Sequence, residues 1–180
     1  MGMIIVGVSD LRCSADRDSS IVTYALGSCL GVGAFDPVSG VGGLLHFLLP
    51  DSRQDPERAI TQPESYADTG IPLLIRTMER LGSDRRRMRV RLAGGAQILE
   101  DGAQLAVGKR NYLASRKLLW QMGVIVAMEA VGGNVSRNLG ITVGTGDIWV
   151  QTPGAGGNNE GYRGQPAEAA VERVPVDGLR

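Results

Sequence analysis

Residues 23–50 read Thr23-Tyr24-Ala25-Leu26-Gly27-Ser28-Cys29-Leu30-Gly31-Val32-Gly33-Ala34-Phe35, then Asp36-Pro37-Val38-Ser39-Gly40, then Val41-Gly42-Gly43-Leu44-Leu45-His46-Phe47-Leu48-Leu49-Pro50. Two apolar runs flank a cluster of turn formers, a pattern that predicts a β-hairpin. The hairpin would bring Cys29 near His46, the only histidine of the chain. If the bend is centred between Pro37 and Val38, Cys29 stands opposite His46 with both side chains on one face. If it is centred on Val38, Cys29 stands opposite Phe47 and the two side chains fall on different faces. One bulged residue switches between the registers, because side chains alternate along a strand.

Working outward, the chain has 180 residues, 43% of them hydrophobic, enough for one domain with a sizeable core. Nineteen basic residues balance nineteen acidic ones, so no global charge draws the protein to nucleic acid or to an anionic membrane. The run Arg85, Arg86, Arg87, Arg89, Arg91 is basic but lacks interleaved aromatics; it reads as solvated surface or as a patch for an acidic protein partner. Met1–Val8 is too short and lacks the basic leading region of a signal peptide or membrane span, and reads as an opening strand with no direct membrane insertion. Cys13 and Cys29 are the two cysteines, in no zinc-type cluster, and free thiols suit a cytoplasmic chain. A Cys13–Cys29 disulfide is the alternative, and it would remove the nucleophile.

The remaining segments predict a mixed architecture. Residues 50–63 read as a polar, proline-punctuated loop able to border a site. Thr61 and Glu64 have capping-box spacing for a helix ending at Gly82, with Tyr66, Gly70, Leu73, Leu74, Thr77, Met78 and Leu81 on its apolar face and Pro72 interrupting it. Residues 88–93 alternate as a strand before Gly94-Gly95-Ala96. Residues 111–122 read as a second helix stopped by Gly123, 124–131 as a buried strand, and 139–150 as two short strands. Antiparallel strands with two separated helices give an α+β class, a mixed β-sheet sandwich flanked by helices, rather than a doubly wound nucleotide fold. Residues 1–150 form the expected domain. Residues 151–180, rich in Gly, Asn, Pro and charge, read as a flexible C-terminal tail.

A cysteine attacks a carbonyl as its thiolate, and a nearby imidazole can take its proton and later help expel the leaving group. Cys29 and His46 therefore suggest acyl transfer through a thioester. The Thr23 hydroxyl could fix one imidazole nitrogen, although it would stabilise imidazolium less than a carboxylate does. Gly27, Ser28 and the turns at Gly42 and Gly43 could let backbone amides, the Cys29 amide among them, form an oxyanion hole. Arg137 could orient a substrate carbonyl or an acidic side chain, whereas Asp68 reads as structural, with Arg110 or another core-edge donor as its partner. Taken alone, a cysteine and a histidine at this separation are better explained by core packing.

Further pattern changes that balance. The segments Thr23-Tyr24-Ala25-Leu26-Gly27-Ser28-Cys29 and Gly42-Gly43-Leu44-Leu45-His46-Phe47-Leu48-Leu49-Pro50 resemble the CheD family of bacterial chemoreceptor glutamine deamidases. The resemblance continues through Tyr66-Ala67-Asp68, Gly94-Gly95-Ala96, Gly108-Lys109-Arg110-Asn111, Gly132-Gly133-Asn134-Val135-Ser136-Arg137 and Thr145-Gly146. It implies a CheD-like cysteine hydrolase fold, Cys29 as nucleophile, His46 as base and Thr23 as the third catalytic residue. It implies hydrolysis of selected glutamine side chains of methyl-accepting chemotaxis receptors to glutamate, with release of ammonia. No cofactor and no metal are expected. The implied partners are receptor cytoplasmic domains and a CheC-like phosphatase. Receptor glutamate methylesterase action is the competing enzyme reading, and a catalytically weak adaptor acting on such a phosphatase is the non-enzymatic one. Arg91-Leu92-Ala93 departs from the lysine and aromatic residue the family often has before Gly94, so the substrate-loop detail is less fixed than the chemistry.

Overall fold

The segment Gly27–Cys29 carries the chain from one β-sheet into another, and the architecture is organised around that crossing. The computed structural model describes residues 2–97, 106–154 and 172–174. In chain order the strands are β1 (Gly2–Ile5), β2 (Asp10–Ser14), β3 (Ser19–Leu26), β4 (Leu30–Asp36), β5 (Val41–Phe47), β6 (Arg89–Gly94), β7 (Ile125–Val131), β8 (Arg137–Thr142), β9 (Asp147–Gln151) and β10 (Glu172–Val174). The helices are α1 (Pro56–Thr61), α2 (Ala67–Arg80) and α3 (Val107–Gln121). One sheet runs β1-β3-β8-β9-β10 and the other β2-β5-β4-β6-β7. The α+β sandwich expected from the sequence is the fold observed.

Strand alternation divides the interior into two apolar layers. Val41, Leu45 and Phe47 of β5 join Ile71, Leu74, Ile75 and Met78 of α2 and Leu119 of α3 on the helical side of the second sheet. Leu44, with Leu26, Phe35, Leu139, Ile141 and Ile148, fills the space between the sheets. Strands β4 and β5 are thus buried on both faces, which is why their sequences are nearly continuous apolar runs rather than alternating ones. Each large side chain taken from water in these layers contributes about 1.5–3 kcal/mol.

Only β4 and β5 make the expected hairpin; β3 belongs to the other sheet. The ladder pairs Leu30 with Phe47, Gly31 with His46 and Asp36 with Val41. The connection spans residues 37–40, with Gly40 N–H donating to Asp36 O at 2.9 Å and Val38 N–H to Asp36 Oδ1 at 3.0 Å. The bend is therefore centred between Val38 and Ser39, beyond both registers considered from sequence.

Other expectations shift by comparable steps. The capping box at Thr61 is not used, since Thr61 ends α1, Pro63–Ser65 forms a 3-10 turn and α2 begins at Ala67. Pro72 lies within α2, whose buried face is Ala67, Gly70, Ile71, Leu74, Ile75 and Met78, while Leu81 is exposed. Helix α3 starts four residues earlier than the periodicity indicates. The apolar run forming β7 lies at a sheet edge, parallel to β6, with Ile125 exposed. Strand β9 reaches Gln151 and β10 pairs with it, so the expected tail includes fold elements at those residues; 155–171 and 175–180 lie outside the described residues. The arginine run is surface in part, with Arg86 exposed, and its charges at Arg85, Arg86 and Arg87 are paired rather than free. Arg85 pairs with Glu79, Arg86 with Asp84 and Arg87 with Asp36, while Arg91 is buried and donates to Ile148 O. Among the described residues no helix is long and apolar enough to cross a membrane.

Candidate active site

Between the sheets, β3 of one sheet delivers Thr23 to β5 of the other. Thr23 Oγ1 lies 2.8 Å from His46 Nδ1 and 2.8 Å from Val6 O, and all three residues are buried. A carbonyl oxygen can only accept, so the single hydroxyl proton of Thr23 goes to Val6, and Oγ1 must accept from His46 Nδ1–H. The hydrogen-bond chain therefore assigns the tautomer: the proton sits on Nδ1, and Nε2 presents a lone pair. Nε2 is buried and carries no hydrogen bond. Burial pushes the imidazole down to about 4, so the ring is neutral at physiological pH and free to act as a base.

The nucleophile candidate sits at the crossing. After Thr23 the β3–β8 pairing shifts register, and Ala25 adopts φ 57° with its amide donating to Asn138 Oδ1 at 3.0 Å. This bulge ends β3 and turns the chain into Gly27-Ser28-Cys29. Three successive carbonyls of the turn are then held: Gly27 O by Ala96 N–H at 2.8 Å, Ser28 O by Asn111 Nδ2 at 3.0 Å and Cys29 O by Gly95 N–H at 2.8 Å. Gly94, at φ +104°, is required here, because a Cβ on it would lie 2.4 Å from Cys29 O. The Gly94-Gly95-Ala96 motif is thus the seat of the cysteine turn.

Cys29 is half-buried, reduced, and packed against the apolar cluster between the sheets. Gly31, two residues on, is paired with His46, and both lie on the side of their sheet that faces the inter-sheet cluster against which Cys29 packs. The sulfur and Nε2 are not hydrogen bonded in this structure. Burial raises the Cys29 thiol, and a hydrogen bond from its own backbone amide lowers it, with burial prevailing. Both groups are accordingly neutral at rest. Cys13, pushed up to about 12 by burial, is a poor competitor.

The other sequence candidates separate. Ser28 is exposed on the turn, and its carbonyl shares a peptide with the Cys29 amide. Gly43 is not at the site: it lies mid-strand on the helical face, where a Cβ would meet Met78 Sδ at 2.8 Å and Cys13 Sγ at 2.9 Å. Being an odd number of residues from His46, it faces the opposite side of the sheet. Arg137 is half-buried, pairs with Leu26 in the ladder, and donates from Nη1 to Gly132 O at 2.8 Å. Asp68 accepts from Ser52 N–H and Oγ and anchors the loop after β5; it does not bond Arg110.

Two contributors carried no role in the sequence reading. One is the Val6 carbonyl, a main-chain group no residue type could signal. The other is Asn111, fully buried on α3, whose signal is a polar residue in the buried series Asn111, Ser115, Leu119. Beside the turn, a cavity of about 490 Å³ is lined in part by Gly95, Ala96, Gln97, Lys109, Tyr112 and Gly133.

Residues 48–152 match the family described as CheD chemotactic sensory transduction. The "Probable chemoreceptor glutamine deamidase CheD" of Solibacter usitatus is 46% identical over 154 residues, 86% of this chain and 91% of that protein. "Probable chemoreceptor glutamine deamidase CheD 1" of Syntrophus aciditrophicus is 43% identical over 86% of this chain and 96% of its own length. A solved structure of a Neisseria meningitidis DUF152 protein has 12% identity and a TM-score of 0.47 over 75% of this chain and 65% of that one.

Proposed function

The chain belongs to the CheD family, and from that premise we propose that it hydrolyses side-chain amides of selected glutamines on chemoreceptors to glutamate, releasing ammonia. The observation that carries the reading is the chain Val6 O, Thr23 hydroxyl, His46 ring, which leaves a buried basic nitrogen between the same two sheets as a half-buried thiol.

In this mechanism the Cys29 proton passes to His46 Nε2 as sulfur bonds to the carboxamide carbon. Nε2–H then protonates the departing nitrogen, the C–N bond breaks, ammonia leaves and a thioester remains. Water attacks the thioester, gives a proton to Nε2, and collapse returns that proton to sulfur with release of glutamate. Thr23 keeps Nδ1 protonated throughout and accepts a stronger hydrogen bond when the ring is cationic. The Ser28 and Cys29 amides are the oxyanion donors this account requires. Arg137, which no carboxylate pairs among the described residues, orients an acidic side chain near the target glutamine. The cavity beside Gly95 and Gly133, together with the loop after Pro50, admits a receptor helix. The receptors are the partners, a CheC-like phosphatase is a second partner implied by family membership, and the cytoplasm is the compartment.

The test is intact and peptide mass analysis after incubating receptor cytoplasmic domains with the wild type and with Cys29→Ser. Exchange of NH2 for OH at particular glutamines by the wild type alone is expected. Equal processing by Cys29→Ser would overturn the assignment, and loss of a methyl group without amide exchange would turn it into an esterase.

A further inference from the structure

Asn111 stands where α3 meets the nucleophile turn. The helix approaches that region without an intervening side chain, since a Cβ on Gly108 would lie 2.4 Å from Gly95 O. One turn further along α3, Asn111 is 0% exposed, and its Nδ2 donates both to Ser28 O at 3.0 Å and to Leu48 O at 2.8 Å. Two carbonyl acceptors fix the amide orientation, because a flipped side chain would face them with its oxygen. Both protons of one buried amide are therefore committed to the residue preceding Cys29 and to the residue two past His46.

The Ser28 carbonyl shares its peptide plane with the Cys29 N–H. In a trans peptide the two point in opposite directions, so holding the oxygen aims the N–H. A hydrogen bond at the oxygen also polarises the N–H and makes it a better donor. We propose that Asn111 is a positioning residue for the deamidase reaction: by gripping Ser28 O and Leu48 O with one amide, it aims the Cys29 N–H at the developing oxyanion and sets that peptide against the strand carrying His46. The inference rests on the acyl-transfer reading above and assigns a role that reading leaves empty. Its neighbours do not replace it, since the Gly95 and Ala96 amides are spent on Cys29 O and Gly27 O.

The role separates from simple structural support because alkylation of a thiol develops no oxyanion, whereas acylation does. Asn111→Asp, which keeps the size and removes both donors, and Asn111→Ala are compared with the wild type in the acylation burst with p-nitrophenyl acetate, in kcat and KM on receptor domains, and in the rate of Cys29 alkylation by iodoacetamide. Ser115→Ala, which removes a hydrogen bond to Asn111 O one turn further along the helix, is the folding control. Both Asn111 variants should lose about 100-fold in burst rate and in kcat. KM and the alkylation rate should stay within about two-fold, and Ser115→Ala should match the wild type in all four. A parental burst rate in both variants overturns the proposal, as does a parallel fall of burst and alkylation, which would make Asn111 a structural prop. A wild type without any burst overturns it too. A wild type that shows the burst and the Asn111 dependence yet leaves receptor glutamines untouched would sink the deamidase reading and leave Asn111 in place.

Discussion

The proton inventory around His46 gives the site its chemistry. Because the Thr23 hydroxyl has one proton and Val6 O can only accept, the imidazole is held with Nδ1 protonated and Nε2 bare. Nitrogen NMR of the ring in the resting protein should therefore show the Nδ1–H tautomer. Thr23→Ser should retain it and most activity. Thr23→Val, which strands a buried N–H, should cost about 1–3 kcal/mol of stability and about 10- to 100-fold in kcat. Acid titration gives a second check with a defined sign. Burial lowers the folded His46 to about 4, whereas the unfolded ring titrates near 6.5, so the unfolded state binds the extra proton between those values. Stability contributed by the neutral ring is complete above about pH 6.5 and is lost as pH falls toward 4, at a slope of about 1.4 kcal/mol per pH unit. Urea unfolding across that range should show the slope in the wild type and a flatter one in His46→Asn; parallel curves would mean that the ring is not buried neutral. The three residue types were legible in the sequence, and Val6 was not, because its contribution is a carbonyl that the sequence cannot distinguish from any other.

At the scale of elements, the register of β4 and β5 decides whether a thiol and an imidazole can share a face, and the turn between them decides the register. Sequence spacing located the hairpin but missed its centre, since Asp36 caps Val38 and Gly40 closes on Asp36, lengthening the connection to four residues. The constellation survives the shift: Cys29 lies outside the ladder, two residues before the Gly31–His46 pair, and packs against the cluster between the sheets. Gly43 shows the opposite failure. A glycine three residues from His46 looked able to lend an amide, yet it lies mid-strand between Cys13 and Ala34, where its backbone belongs to the sheet and its bare Cα makes room for Met78 and Cys13. The Gly94 turn is the most exacting element. Gly94→Ala combines a backbone conformation that disfavours a side chain with a Cβ driven onto Cys29 O, so it should cost about 2 kcal/mol or more and displace Cys29. Gly7→Ala, with open space around it, should be close to neutral in thermal unfolding and in turnover.

The whole molecule is a three-layer stack of sheet, sheet and helices, in which the proposed catalytic groups come from different layers: Thr23 from the first sheet, Cys29 from the crossing and His46 from the second sheet. Hydrophobic periodicity exposed most of the strands and both longer helices. It could not show which sheet each strand joins, because that is settled by packing between segments far apart in sequence, and β2 escaped notice as a short, partly exposed strand. A cavity lies beside the cysteine turn, and the proposed recognition of a receptor helix there can be tested directly. Receptor-derived peptides that hold a helix should accordingly turn over faster than identical sequences with disrupted helicity, and equal rates by mass analysis would defeat that recognition mode. All of these expectations depend on proton sharing between Cys29 and His46. The measurement that reaches it most directly is the rate of Cys29 alkylation against pH, followed by peptide mass, in the wild type and in a folded His46→Asn variant. At neutral pH the account predicts alkylation of Cys29 about ten-fold or more faster in the wild type, the difference vanishing at high pH where the thiol ionises unaided; superimposable profiles across the range would contradict it.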